Sequence, residues 1–166
     1  MTELSFVSAE LKRFEETRAD LLCLFIDPEV APLTSVADMV DFRLAGRLSR
    51  ARISGFLEGT QGARYLTPGR PALPFDRIVV LGQGAVREEG DSAYLDQVLS
   101  IVADLRSERT IVELPRSTLT PQARGEALAA YFLSKEIPPL WFVEPPSEQA
   151  ELSLGFREHW QKTRRP

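Results

Sequence analysis

The 166-residue sequence is poor in the side chains that do most metal and nucleophile chemistry: it has one histidine and one cysteine. One cysteine closes no internal disulfide, so the fold does not rest on oxidation. A zinc site needs three or four converging His, Cys or acidic ligands. His159 and Cys23 lie far apart in the chain and form no such cluster. No metal and no cofactor is therefore predicted. A Ser-His-acid triad would have only His159 to use, and no Gly-x-Ser-x-Gly elbow is present. His159 reads as a surface residue. Cys23, between Leu22 and Leu24, reads as a small core residue.

Long apolar runs are also missing. None approaches the roughly 20 residues that span a bilayer. The opening MTELSFVSAELKRFEE lacks a basic start followed by an apolar stretch, so no signal peptide is expected and the cytoplasm is the predicted location. Excess positive charge is absent too. The net charge of −4 and pI near 5.2 argue against broad binding to phosphate backbones, which needs clustered Lys and Arg. There is no internal repeat and no low-complexity segment.

What is present is ordinary for a globular protein: 43% apolar and 27% charged residues. The pattern along the chain alternates strands with helices. Residues 4–11 alternate weakly and suit an edge strand, with a turn or short helical link over 12–19. Leu21 to Ile26 is a continuous apolar run between Asp20 and Asp27-Pro28, the signature of a strand buried on both faces.

Ser35 is placed to cap a helix starting at Val36, with Val36, Met39, Val40, Leu44 and Leu48 as its apolar stripe. Asp38, Asp41, Arg43, Arg47 and Arg50 fall on its polar side. Gly46 weakens this helix by about 1 kcal/mol relative to Ala, and close packing is its expected purpose.

Ile78 to Leu81 reads as a second buried strand, stopped by Gly82. A charged turn is expected over 87–91. Ser92 is placed to cap a helix with Leu95, Val98, Leu99, Val102 and Leu105 inside. Thr110 to Leu114 reads as a strand. Thr120-Pro121 is a strong helix start, a hydroxyl cap followed by proline at the first helical position. Ala123, Ala127, Leu128 and Tyr131 then form a buried stripe. Pro138-Pro139 ends that helix before a last strand, Leu140 to Val143.

The order of these elements resembles the amino-terminal domain of the leucyl aminopeptidase family. Asp20 and the apolar run after it resemble the family's early strand. Gly55-Phe56-Leu57-Glu58-Gly59 resembles its Asp-Phe-x-Gly turn, and Gln61-Gly62 before Tyr65-Leu66 its Gly-Glu step. Arg77 to Gly84, RIVVLGQG, resembles its strand ending in Gly-Leu-Gly. GEALAAYF from Gly125 to Phe132 resembles its alanine-rich helix.

The resemblance implies a three-layer, macro-domain-like α/β fold with a mixed, mostly parallel sheet flanked by helices. It covers residues 1–146, followed by a tail over 147–166 that is expected to be helical. The family's two-metal catalytic domain, with its Asn-Thr-Asp-Ala-Glu-Gly-Arg segment, has no counterpart here, so no family ligand transfers to a position in this sequence. The resemblance implies a non-catalytic, stand-alone relative acting as a protein-interaction, regulatory or assembly module.

Two alternatives stand beside that reading. One is a small-ligand site for a nucleotide or an ADP-ribose-like molecule. Gly82-Gln83-Gly84 follows a strand and precedes a helix, where ligands bind in α/β folds. Its glycines would let backbone amides approach a phosphate, and Arg116-Ser117 lies just past the next strand and could hold an anion beside it; a tight turn and a solvated loop leading to Thr120 are their ordinary readings. Against this, ADP-ribose-binding macro domains carry an Asn-rich early loop and a longer glycine-rich loop. Here the early loop reads Asp27-Pro28-Glu29-Val30, which would repel a phosphate. The other alternative is DNA binding through Arg43, Arg47, Arg50 and Arg52, whose ordinary explanation is a solvated helix face.

In the tail, Leu152, Phe156 and Trp160 share one helical face. They either dock on the domain's own core or form an aromatic anchor for a partner. A protein partner or self-association is expected, a small ligand is possible, nucleic acid is disfavoured, and no membrane is implied.

Overall fold

The computed structural model describes residues 3–84, 91–135 and 138–164. The expected charged turn over 87–91 falls largely outside these residues, as does the side chain of Ser92.

The elements in chain order are β1 (Ser5–Phe6), α1 (Leu11–Glu16), β2 (Leu21–Ile26), α2 (Ser35–Arg43), α3 (Arg47–Ile53), β3 (Arg64–Thr67), β4 (Arg77–Gly82), α4 (Asp91–Asp104), β5 (Thr110–Glu113), α5 (Pro121–Ser134), β6 (Leu140–Val143) and α6 (Pro146–Arg164). The six strands form one sheet in the order β1-β6-β5-β2-β4-β3. Every pairing is parallel except β3 with β4. The edge strand foreseen over residues 4–11 is only two residues long, and its last predicted residue, Leu11, opens helix α1.

All six residues of β2 are buried, as the apolar run predicts for a central parallel strand. Alternate residues feed opposite layers. Leu22, Leu24 and Ile26 join Ile78 and Val80 beneath α1, α2 and α3. Leu21, Cys23 and Phe25 join Val79 and Leu81 beneath α4, α5 and α6. The result is three layers around a mixed sheet. Among the described residues no helix is long and apolar enough to cross a membrane.

Two local expectations change. The single helix foreseen from Val36 onward is two helices. The chain breaks at Ala45 and Gly46, both with positive φ (53° and 77°). Gly46 is thus a hinge residue in the left-handed region, where glycine is favoured. Asp41, assigned to the polar face, is buried instead. Its Oδ1 accepts from the Leu48 amide at 2.7 Å and its Oδ2 from the Ser49 amide at 3.3 Å. It therefore caps α3 from the preceding helix, a long-range version of an N-cap. Ser35 is not a cap either. It is the first residue of α2, with φ 58°, and the N-cap position, Thr34, makes no side-chain cap bond.

Thr120 does cap α5, its Oγ1 accepting from the Ala123 amide at 3.2 Å. The tail is helix α6, and its apolar face is buried. Leu152 and Phe156 are fully buried and Trp160 nearly so. Phe156 stacks on Trp160, and the Phe132 ring of α5 meets Phe156 edge-on. Leu152, Phe156 and Trp160 therefore complete the domain's own core. They are corrected from a free partner anchor, because folding has already removed their apolar surface from water.

Candidate functional site

The carboxyl ends of β2, β4, β5 and β6 converge with the amino end of α2 on one edge of the sheet. Two adjoining hollows open there. The larger, about 790 Å³, is lined by the 8–10 segment, the start of α2, residues 113–117 at the end of β5, Arg124, residues 143–146 at the end of β6, and Glu148. The smaller, about 210 Å³, is lined by the 25–27 and 33–35 segments, Arg52, Gln83, Glu113 and Arg116. Ser35, Glu113, Leu114 and Arg116 line both, so Glu113 stands where the hollows meet.

Of the residues proposed in the sequence as a ligand site, Gln83, Arg116 and Ser117 line this crevice, and Asp27, Ser35 and Arg52 line it as well. Gln83 is buried. Its Oε1 accepts from the Arg116 amide at 3.0 Å, while its Nε2 has no hydrogen-bond partner among the described residues. Ser117 Oγ accepts from the Leu119 amide at 3.1 Å.

The two glycines have another purpose than admitting a phosphate. A Cβ on Gly82 would lie 2.0 Å from the Thr60 carbonyl oxygen. Gly84 has φ 70° and donates its amide to the Gly59 carbonyl at 2.8 Å. The close neighbour of this turn is the chain's own 59–61 segment, and it is the Gln83 side chain that faces the crevice.

Asp27 is less repulsive than its sequence position implies. Its Oδ1 accepts from the Glu29 amide at 2.8 Å, and its Oδ2 faces the Arg116 guanidinium at 3.3 Å. The arginine stripe is likewise engaged within the chain. Arg43 pairs with Glu15, Arg47 donates to Pro68 O, Arg50 to Ala45 O, and Arg52 to the carbonyls of Asp27 and Pro28. These guanidiniums tie loops to helices, which removes the main support for a nucleic-acid face.

Sequence reasoning missed Glu113, Arg124, Glu144 and Glu148. Arg124, buried on α5, reaches both Glu144 oxygens at 3.2 Å and also pairs with Glu148. Its Nε has no partner among the described residues. Glu113 Oε2 accepts from the Phe25 amide at 3.2 Å. Desolvation pushes the Glu113 carboxyl up to about 7; the Phe25 amide opposes the shift, the Glu144 charge adds to it, and Arg116 opposes it. Desolvation also raises Glu144 to about 7, against the pull of Arg124 and with help from Glu148. One signal was available: Glu113 and Glu144 each stand at the carboxyl end of an apolar strand. Their adjacency was hidden, because it arises only when β5 and β6 pair. Among the described residues, no group of three or more His, Cys, Asp or Glu is arranged to hold a metal ion.

No family model and no curated protein matches this chain. Its similarity is to solved structures. A tomato leucine aminopeptidase variant aligns at 14% identity with a TM-score of 0.59, over 93% of this chain and 35% of the other. The present chain therefore spans about a third of that enzyme's length. The Oceanobacillus iheyensis macrodomain with ADP aligns at 9% identity and TM-score 0.62, over 87% of this chain and 86% of that one. The macrodomain of Mycobacterium tuberculosis DarG aligns at 13% identity and TM-score 0.57, over 86% and 97%. At these identities the likeness establishes the fold, which is macro-domain-like.

Proposed function

We propose that the protein is a macro-type binding module whose crevice takes a small, acceptor-rich ligand of the ADP-ribose class. One observation carries this reading: a buried donor, Gln83 Nε2, has no partner among the described residues and belongs to a residue lining the hollow at the strands' carboxyl ends. A buried donor without an acceptor is unfavourable by about 1–3 kcal/mol, and a ligand oxygen would relieve it. The start of α2 adds to the same demand. Its first amides have no side-chain cap, and a helix amino end favours anions. Similar macrodomain folds have been determined with ADP and with ADPR.

The interaction-module reading has less support, because Leu152, Phe156 and Trp160 are buried. Light scattering of the full chain checks self-association directly.

The deciding experiment is thermal denaturation with ADP-ribose, on the native chain and on Ser35→Asp. Ser35 is exposed at the crevice lip with φ 58°, a conformation Asp tolerates. A carboxylate there stabilises the start of α2 by about 0.3–1 kcal/mol but opposes a ligand phosphate. Ligand at 100 times its dissociation constant stabilises the native chain by about 2.7 kcal/mol. The variant is expected to be at least as stable alone, with a smaller ligand shift. Absence of any shift on the native chain, or an equal shift on the variant, argues against the reading.

A further inference from the structure

We propose that Glu113 is a specificity-determining residue of the crevice: it donates a hydrogen bond, in its protonated form, to an acceptor oxygen of the bound ligand beside the Gln83 amide, so that binding takes up a proton. This rests on the ligand-binding reading above and adds what that reading does not contain.

Glu113 stands at the meeting point of the two hollows, and both are lined by it. One of its oxygens, Oε2, is held by the Phe25 amide, which fixes the carboxyl at the end of β5. Gln83, in the same hollow, contributes a buried donor without a partner among the described residues. An ionised Glu113 beside a ligand oxygen would oppose binding, whereas a protonated one adds a second donor next to the first. The proton therefore decides whether the crevice accepts or rejects an acceptor-rich ligand.

The surroundings make that proton available near neutrality. Phe25 and Cys23 face Glu113 from β2, Gln83 from the end of β4 and Arg116 from its own loop. Glu144 faces it from the end of β6, backed by Arg124 of α5 and Glu148 of α6. Asp27 is balanced by Arg116, and Glu10 also lines the larger hollow. Desolvation and the Glu144 charge outweigh Arg116 and the Phe25 amide, leaving Glu113 to titrate near 7.

The test is isothermal titration with ADP-ribose at pH 6 and pH 8, in two buffers of different ionisation enthalpy. The ligand's phosphates are ionised at both pH values, so uptake reports the protein. With Glu113 titrating near 7, affinity is expected to fall about tenfold from pH 6 to pH 8, and the buffer dependence should show uptake of up to one proton. Glu113→Gln keeps a permanent donor of the same shape, so its affinity should lose both the pH dependence and the uptake. Glu144→Gln should keep them in weakened form. Binding with no uptake, or with proton release, overturns the proposal and leaves the crevice reading standing. No binding at either pH overturns both. The native-chain titrations alone decide between these outcomes if a variant fails to fold.

Discussion

Gly125 of α5 and Gly155 of α6 face each other's backbones across one helix crossing. A Cβ on Gly125 would lie 2.0 Å from the Leu152 carbonyl oxygen, and a Cβ on Gly155 would lie 2.0 Å from that of Gln122. By propensity alone Gly155→Ala strengthens a helix by about 1 kcal/mol. Here backbone meets backbone, so neither helix yields by rotating a side chain. We expect Gly155→Ala and Gly125→Ala each to lose about 3 kcal/mol, the upper range for overpacking. Urea denaturation reads the sign directly, and a stabilised variant would contradict the close crossing.

The same crossing makes α6 indispensable. Leu152, Phe156 and Trp160 are each buried, and together contribute roughly 6 kcal/mol at about 2 kcal/mol per side chain. That is comparable with the 5–15 kcal/mol net stability of a whole domain. A chain ending at Pro146 is expected to be unfolded or aggregated by circular dichroism and size exclusion. A cooperative melt of the truncated chain would show the tail to be separable.

Arg124 holds two carboxylates, Glu144 and Glu148, with its side chain 11% exposed and that of Glu144 5%. Removing one partner of a buried ion pair typically destabilises by 3–5 kcal/mol. Arg124→Met should lose about 3 kcal/mol at pH 8. The loss should be smaller at pH 5.5, where the stranded Glu144 takes a proton. Equal losses at both pH values would argue against uncompensated charge as the cause.

The raised carboxyls of Glu113 and Glu144, both near 7, fix a direction for stability against pH. Between the ordinary value of 4.5 and about 7 the folded chain binds more protons than the unfolded chain. Stability from this pair is therefore full below 4.5 and is lost as pH rises through 7. Asp20 acts oppositely: it lies below its usual value because bonds from Ser107 and the Arg109 amide outweigh desolvation, so its contribution is lost on acidification. A melting temperature about 5 °C lower at pH 8 than at pH 5.5 is expected, equivalent to about 2 kcal/mol in a domain of this size. Glu113→Gln should flatten that slope, and an unchanged slope would place the titration elsewhere.

Much of the layered fold is legible in the residues themselves. The apolar run of β2, the Thr120-Pro121 start of α5 and the 152-156-160 stripe are local patterns. Each follows from periodicity or capping within one element. What failed was of another kind. Asp41 looks like a solvent-facing helix residue, because the amides it caps lie beyond a chain break that periodicity does not reveal. Gly82 and Gly84 admit both a tight turn and a phosphate loop in the sequence, because the Thr60 carbonyl that fills the space beside Gly82 belongs to a distant segment.

The sequence by itself determined the class of element at most positions and which faces are apolar, since burial preference and backbone propensity act over a few neighbouring residues. Only the tertiary structure decided the site. Glu113, Glu144, Arg124 and Gln83 come from three strand ends and a helix, and parallel pairing sets all three carboxyl ends on one edge of the sheet. Their charges, orphan donors and shifted carboxyls exist only through that juxtaposition, because desolvation and Coulomb interaction depend on distance in space and not on separation along the chain.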